Sequence, residues 1–379
     1  MDLLQLTAQM PIIEQWHRQI KEGQSRQLVT GLAGSAKTLA ILATYEKFKR
    51  PILVVTPNLY YMNQVVEDLR NLTEEVFAYP VDEVLSAEMA FGSPEARAER
   101  IQTLNAISAG RPGIFVLPLA AIRKYLPQVS TWQKAQLHWK IGSEIDLETL
   151  PQKLVLMGYE RQQMIMKPGE FSIRGSILDI YPITADYPLR IELFDIEVDS
   201  MRYFDVETQR SLGNASEALI TPTTDLVFSP EDLQQGAVKL QDLLTKRLAV
   251  TKEPVDRSFL EDYFGQVITS WEEGIPGEYA QYYLDLLYQE KTSLVDYFPA
   301  DSLLFVDDYA RIMEADREMQ KEEAEWQTQK ISELRVFSQQ TFGSTTHDFF
   351  RNETFTTTFF ALFQKGMGNL RFSSILNVQ

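Results

Sequence analysis

The chain has 379 residues, 44 % of them hydrophobic, which is enough apolar material for the cores of two or three domains. Its formal charge of −17 argues against a broad basic surface for nucleic acid. The absence of cysteine excludes disulfides, thiolate metal sites and cysteine nucleophiles, and three scattered histidines predict no metal cluster. Without a basic leader or an apolar run of about 18 residues, the sequence predicts a cytoplasmic protein that does not enter a membrane.

The first third of the chain alternates between helical and strand patterns. In chain order the sequence predicts helix 6–20, strand 27–30, helix 37–48, strand 51–56, helix 59–72, helix 94–108 and strand 114–117. The strand at 51–56 is almost entirely apolar, which is typical of a strand buried on both faces of a parallel sheet. This alternation predicts an α/β domain.

The pattern changes after Leu126. Short alternating strands are predicted at 163–166, 171–182, 189–194 and 200–204, separated by turn residues, and they indicate a small β-rich insert. Helical periodicity returns beyond Pro222. A further apolar strand is predicted at 302–306, followed by a charged, solvated helix at 311–334.

Residues 31–38 have the composition of a phosphate-binding loop between a predicted strand and a predicted helix. The candidate nucleotide-binding residues of this loop are Gly31, Gly34, Ala36, Lys37 and Thr38. In a working loop the lysine reaches the phosphates and the hydroxyl holds Mg²⁺. The residue before that lysine should be glycine, because the backbone approaches the phosphates closely, yet this chain has Ala36.

The partner acidic motif is also altered. Asp307 follows a predicted strand and could hold Mg²⁺, but a glutamate that orients the attacking water is replaced by the shorter Asp308. The shorter side chain would place its carboxylate about an ångström from the productive position. Three alternatives stay open: a turn that binds no nucleotide, weak binding of ATP and Mg²⁺, and efficient hydrolysis, which is the least favoured. We therefore expect that no cofactor is required.

Several motifs together resemble a known family. The loop at 31–38, the turn at 56–58 and the segments 169–175, 293–299 and 306–308 occur in the order found in UvrB, a helicase subunit of nucleotide-excision repair. The degenerate loop, the framing segments 158–159 and 204–206, and the closing segment 366–372 most resemble the N-terminal UvrB-homology module of the bacterial transcription-repair coupling factors (Mfd). The resemblance covers essentially the whole chain.

The resemblance implies an α/β fold: a degenerate P-loop, helicase-like (RecA-like) lobe with an inserted small β-rich α+β domain. Domain 1a would span 1–120, domain 2 would span 121–214, domain 1b would span 215–350, and 351–379 would be an extension toward missing domains. UvrB clamps DNA with a long aromatic hairpin. The corresponding stretch here, 78–98, is short and has two aromatic residues, Tyr79 and Phe91. Single-strand binding is therefore not expected.

The resemblance also implies a partner. In this family domain 2 binds the damage-recognition ATPase UvrA. The predicted UvrA-binding residues are Arg161, Phe171, Arg174, Arg190 and Glu192, of which Phe171 is added on chemical grounds. Arginine suits such a site because its guanidinium makes bidentate bonds to carboxylates. Structural alternatives stay open: Arg161 capping a helix end or covering apolar surface, Phe171 packing in the core, Arg174 pairing with Asp179, and Arg190 and Glu192 screening one another.

We therefore expect a non-catalytic UvrB-like module that recruits UvrA to a stalled RNA polymerase. Further partners implied by the resemblance are the C-terminal domains of the full-length protein, which would be autoinhibitory, and RNA polymerase and double-stranded DNA through domains missing from this sequence. The full-length family is an ATP-dependent DNA translocase. The alternative is an ATP-dependent UvrB-like DNA helicase that verifies damage, supported by the retained Lys37, Thr38 and Asp307.

Overall fold

The computed structural model describes residues 3–81, 93–277, 280–351, 354–364 and 367–378. The helices are α1 Leu3–Ala8, α2 Pro11–Lys21, α3 Ser35–Phe48, α4 Leu59–Arg70, α5 Pro94–Ser108, α6 Leu119–Arg123, α7 Val129–Lys134, α8 Leu150–Leu156, α9 Pro230–Val250, α10 Pro254–Glu272, α11 Leu284–Leu287, α12 Tyr309–Ser332 and α13 Thr346–Arg351. The strands are β1 Arg26–Thr30, β2 Ile52–Thr56, β3 Val76–Ala78, β4 Ile114–Pro118, β5 Leu137–Lys140, β6 Glu160–Arg161, β7 Glu170–Arg174, β8 Ile177–Ile180, β9 Leu189–Phe194, β10 Glu197–Phe204, β11 Ser211–Asn214, β12 Glu217–Ile220, β13 Leu303–Asp307, β14 Thr356–Ala361 and β15 Ser374–Asn377.

A parallel sheet of seven strands forms the centre of the lobe. Its order is β15-β1-β14-β13-β2-β4-β3, and every neighbouring pair is parallel. Strands β2, β4 and β13 are buried along their whole length, as their apolar composition predicts. The predicted α/β lobe is therefore confirmed.

Helices cover both faces of this sheet. On one face Trp16 of α2 and Ile41 of α3 pack with Phe360 of β14. On the other face Trp132 of α7 packs in a second core that includes Phe359. Because side chains alternate along a strand, β14 supplies one aromatic ring to each core.

The C-terminal segment is part of the lobe, and the prediction that 351–379 forms an extension is wrong for its described residues. Strand β14 lies between β1 and β13, and β15 forms the sheet edge against β1. The side chain of Trp16 also donates a hydrogen bond to Thr358 Oγ1 in β14, at 3.0 Å. The segment belongs to the lobe because β14 fills a gap between two otherwise distant strands.

A second sheet forms the insert, which we define as residues 137–220. Its strand order is β11-β10-β9-β8-β7-β6, antiparallel except for the pair β6 and β7, and β5 pairs separately with β12. The single strand predicted at 171–182 is a hairpin that turns at Gly175, where φ is +61°. The strand predicted at 163–166 is absent, and the short β6 precedes it.

The structure moves both predicted boundaries of this insert. Ile122 and Trp132, which follow the predicted start at 121, belong to the core of the lobe. Ile220, which follows the predicted end at 214, belongs to the core of the insert. The boundaries shift because β5 and β12 close the insert by pairing with each other.

The segment predicted as domain 1b, 215–350, contributes β13 and α12 to the lobe but also builds a separate helical core. In that core α9 and α10 pack through Leu240, Phe264 and Trp271 against Tyr283. Capping by Ser229 and Asp232 begins α9, since each side chain bonds the other's backbone N–H. The charged helix predicted at 311–334 is α12.

The position of β14 predicts the effect of two truncations. Removing residues 351–379 deletes an interior strand of a parallel sheet, so we expect loss of the cooperative thermal transition of the lobe. Removing only residues 366–379 deletes the edge strand β15, and we expect the lobe to fold with a lower melting temperature. Circular dichroism during heating measures both. If the chain that lacks residues 351–379 unfolds cooperatively at the melting temperature of the full chain, the topology is contradicted.

Candidate functional sites

A cleft of about 240 Å³ lies at the predicted phosphate loop. The structure brings five of the predicted nucleotide-site residues to its lining: Gly34, Lys37, Thr38, Asp307 and Asp308. Gly31 instead packs against the C-terminal segment. Glycine is needed there because φ is +89° and a Cβ would overlap the carbonyl oxygen of Val378. Ala36 is exposed in the first turn of α3.

The polar groups of this cleft bond to one another. Lys37 Nζ donates to Asp307 Oδ1 at 2.6 Å, and both side chains are largely buried. The N–H groups of Lys37 and Thr38 donate to the carbonyl of Gly34 at 3.0 and 3.3 Å. Thr38 Oγ1 also lies 3.4 Å from a carboxylate oxygen of Asp68. The groups that would hold phosphates and Mg²⁺ in a working loop therefore have partners within the chain.

Asp308 begins α12. It has a left-handed backbone with φ of +59°, a conformation that aspartate tolerates, and its carboxylate accepts the backbone N–H of Arg311 at 3.3 Å. Arg311 Nε lies 3.1 Å from the same carboxylate, and its guanidinium lies over the ring of Tyr61. Asp308 therefore caps a helix and pairs with a cation.

The insert sheet carries a polar face opposite its apolar core. The register pairs Asp179 with Arg190, Arg190 with Arg202, and Glu192 with Ser200, which places these side chains on one side of the sheet. We define the charged face as Arg174, Asp179, Arg190, Glu192, Ser200 and Arg202. Of the five predicted UvrA-binding residues, the structure brings Arg174, Arg190 and Glu192 together on this face.

Asp179 is the centre of the charged face. Its buried carboxylate accepts Arg190 Nε at 2.6 Å and Arg190 Nη2 at 2.9 Å, a bidentate pair. Arg174 Nη2 donates to the same carboxylate at 2.6 Å, so the predicted pair of Arg174 and Asp179 is confirmed. The Arg174 side chain is 45 % exposed, whereas that of Arg190 is 14 % exposed. Of the two arginines that bind Asp179, Arg174 is thus the one that reaches the surface.

The other members are fixed by separate contacts. The guanidinium of Arg190 lies 4.3 Å from the ring centroid of Phe204, and its hydrogen bond to Asp179 raises its pKa, although burial acts in the opposite direction. Glu192 accepts Arg202 Nη2 at 2.6 Å and Ser200 Oγ at 3.1 Å. Arg190 and Glu192 therefore each have a separate hydrogen-bond partner. The predicted alternative, in which the two residues screen each other, did not include these partners.

Two predicted residues lie elsewhere. Phe171 has no exposed surface and packs in the core of the insert with Leu178 and Ile191, so the prediction that it contacts a partner is wrong. Arg161 is exposed in β6 at the sheet edge. Its register pairs it with Phe171, which places its side chain on the side opposite the charged face.

Arg202 was missed by the sequence analysis. Its role depends on pairing between β9 and β10, which juxtaposes it with Arg190 and brings it within hydrogen-bond distance of Glu192. The alternation of polar and apolar residues from Ser200 to Arg202 is the signal that could have indicated it, but one strand read alone does not show which neighbour it meets.

A buried carboxylate joins the insert to the lobe. Asp225, which lies five residues beyond β12, accepts hydrogen bonds from Tyr79 Oη at 2.6 Å and Arg100 Nε at 3.0 Å, and Lys124 Nζ lies 3.1 Å away. Burial raises the pKa of Asp225, but Lys124 and Arg100 outweigh that effect and hold the pKa well below its ordinary value. Tyr79 is therefore a buried hydrogen-bond donor. Phe91, the other aromatic residue of the stretch 78–98, lies with residues 82–92 outside the described residues.

Neither a metal site nor a membrane-spanning helix is found among the described residues. Within them, no group of three or more acidic or histidine side chains is arranged to hold a metal ion. None of the helices in this part of the chain is both long enough and apolar enough to span a lipid bilayer.

Comparison with family models identifies the inserted domain. Residues 137–226 match the UvrB interaction domain. The match includes the entire charged face, both β5 and β12, and the linking Asp225. The chain is therefore a parallel α/β lobe into which a UvrB interaction domain is inserted.

Similarity extends over most of the chain. The transcription-repair-coupling factor of Bacillus subtilis strain 168 is 39 % identical over 319 residues, which cover 84 % of this chain and 27 % of that protein. The protein of the same name from Staphylococcus aureus strain MRSA252 is 34 % identical over 352 residues, covering 91 % of this chain and 30 % of its own length. The chain belongs to the transcription-repair coupling factor family and spans less than a third of the length of these relatives.

The contacts of Asp225 predict a large loss of stability when its charge is removed. Asp225→Asn leaves Arg100 and Lys124 buried beside a neutral amide, and we expect a loss of about 3–5 kcal/mol in the free energy of unfolding. Tyr79→Phe removes one hydrogen bond to this carboxylate and should cost about 1.5–3 kcal/mol, less than Asp225→Asn. Urea denaturation at pH 7 measures both, and equal losses would contradict the assignment.

The pH dependence of this difference follows from the lowered pKa of Asp225. A lowered folded-state pKa stabilises the fold above the unfolded pKa of about 3.9, and that stabilisation is lost as the pH falls through the folded-state value. The difference in the free energy of unfolding between the parent chain and Asp225→Asn should therefore stay constant from pH 7 to about pH 5. It should shrink below about pH 3.9.

Proposed function

We propose that this chain is a non-catalytic module of a transcription-repair coupling factor, which recruits UvrA to a stalled RNA polymerase through the charged face of its UvrB interaction domain. The observation that carries the proposal is the exposed Arg174 on a preorganised network. The family match over 137–226 supports the choice of this domain as the docking element.

The charge balance of the face supports an acidic partner surface. Asp179 is already bound on both oxygens by Arg190, so the guanidinium of Arg174 adds positive charge that this single carboxylate does not fully neutralise. Three arginines and two acidic residues give the charged face a formal charge of +1 within a chain of −17. Such a local contrast favours association with carboxylates of a partner and raises the rate of correct encounter.

The network also fixes the side chains before a partner arrives. Arg190 is held by Asp179, by the ring of Phe204 and by Gln209 Oε1 at 2.9 Å. Glu192 is held by Arg202 and Ser200. Long side chains that are already ordered lose less rotamer entropy on binding, which increases the affinity gained per contact.

The cleft at residues 31–38 supports a module that requires no cofactor. Lys37 is neutralised by Asp307, Ala36 replaces the expected glycine, and Asp308 caps α12. We infer that ATP and Mg²⁺ bind weakly or not at all, and that the lobe serves as a frame for the insert. A second candidate, an ATP-dependent UvrB-like DNA enzyme, is favoured by one observation: Lys37, Thr38 and Asp307 line the same cleft.

The remaining partners are proposed from the family resemblance. C-terminal domains of the full-length protein would mask the charged face until the polymerase stalls. Contacts with RNA polymerase and with double-stranded DNA would be made by domains outside this sequence.

Reversing the exposed charge of the face tests the docking proposal. Arg174→Glu places a second carboxylate beside Asp179 and should weaken UvrA binding about tenfold or more, the effect of losing a charge-assisted hydrogen bond. The matched control is Arg18→Glu, the same charge change at an exposed position of α2. Calorimetric titration with purified UvrA measures both affinities. Equal affinity of the two variants would contradict the proposed interface.

Phosphate release from ATP, with and without DNA, tests the non-catalytic assignment. Because Lys37 is bound to Asp307, we expect the parent chain to show the same background rate as Lys37→Ala. Ala36→Gly serves as a second comparison, since it restores the expected residue without touching the ion pair. Turnover that Lys37→Ala abolishes would establish the alternative enzyme.

A further inference from the structure

A second cavity, of about 500 Å³, lies where the lobe, the insert and the helical segment meet. We call it the junction cavity. Its walls include α5 and α6 of the lobe, insert residues 155–160, the linking segment 223–228, and α12. It shares no lining residue with the cleft at residues 31–38. Its volume and its place between domains are typical of small-molecule sites.

Basic side chains dominate one part of the lining. Arg97 and Arg100 lie one turn apart on α5, and Arg123 and Lys124 lie at the end of α6. The acidic lining residues are Glu160, Asp225 and Glu323. Four basic and three acidic residues leave a formal charge of +1 in a concave surface of a strongly acidic chain. Such a surface concentrates anions.

Arg97 lies in the positive field of its neighbour Arg100. Burial lowers the pKa of Arg97, the positive charge of Arg100 lowers it further, and Asp225 and Glu160 act in the opposite direction. An anion between the two guanidinium groups would therefore stabilise both charges. The carboxylate of Asp225 stabilises the charge of Arg97 less effectively, because it already binds Arg100, Lys124 and Tyr79.

Aromatic side chains supply another part of the lining. Tyr282, Trp326 and Phe342 are each half-buried, with ring centroids 5.5 Å apart for Tyr282 and Trp326 and 4.8 Å apart for Trp326 and Phe342. Arg123 forms a 2.5 Å ion pair with Glu323, which lies one turn before Trp326 on α12. The basic and aromatic parts of the lining are therefore connected across one ion pair.

We propose that the junction cavity binds a nucleotide, with its phosphate on Arg97 and Arg100 and its base against Trp326. Guanidinium groups are suited to phosphate, and aromatic rings stack on any base. Two sources share this chemistry, a free nucleotide and a nucleotide within a single strand. Because the walls come from both the lobe and the insert, an occupant would restrict movement between them.

Tryptophan fluorescence gives a direct readout. Trp16, Trp132, Trp139 and Trp271 are buried, so a base that enters the junction cavity should quench Trp326. We expect AMP to quench the fluorescence of the 379-residue chain. Arg97→Glu should raise the dissociation constant about tenfold, and Arg18→Glu, the same charge change at an exposed position of α2, should leave it unchanged. Trp326→Phe should remove the signal while calorimetry still detects binding.

The ligand series identifies the source and can overturn the proposal. Tighter binding of AMP than of a short oligothymidylate supports a free nucleotide, and the reverse order supports a single strand. Absence of binding by both at millimolar concentration overturns the proposal. So does binding that Lys37→Ala abolishes and Arg97→Glu preserves, or competition by inorganic phosphate as strong as that by AMP. Arg97→Gln, checked for an unchanged melting temperature, replaces Arg97→Glu if the latter does not fold.

Discussion

The buried carboxylate of Asp225 is the constraint that relates the parts of this molecule. It lies just beyond the insert and receives Tyr79, Arg100 and Lys124, three side chains from separate segments of the lobe. A charge without such partners would be very costly to bury, so the carboxylate and its donors are stable only together. The same contact places the insert next to α5 and forms one wall of the junction cavity.

A carboxylate binds basic side chains in both the lobe and the insert, but the positive charge is hidden in one case and exposed in the other. At the loop, Lys37 and Asp307 bind each other inside a cleft, which leaves little electrostatic need for a phosphate. On the insert, Asp179 holds Arg190 below the surface and leaves the Arg174 side chain 45 % exposed. In the lobe, the two charges of the cleft neutralise each other. In the insert, the positive charge of Arg174 remains at the surface. This contrast underlies the proposed division between a supporting lobe and a docking face.

Local patterns predicted much of the lobe. Helix 94–108 has the predicted bounds because Ser93 caps it and Pro94 begins it, and strand β2 follows from its apolar run. The place of β14 was not predictable, because pairing with β1 and β13 joins residues more than 300 and about 50 positions apart. Likewise, the face of Arg161 and the partner of Glu192 depend on register between strands, which periodicity within one strand does not contain. Phe171 was predicted as a contact because aromatic residues are enriched at interfaces, but a phenylalanine at the start of a strand is more often part of a core, and here it is.

In the function proposed above, UvrA binds the charged face while the cleft at residues 31–38 takes no part. Hydrogen–deuterium exchange of the chain with and without UvrA observes both regions in one experiment. We expect slower exchange in β8, β9 and β10, with unchanged exchange in residues 31–38. Protection confined to residues 31–38 and to α12, with none in these three strands, would contradict it.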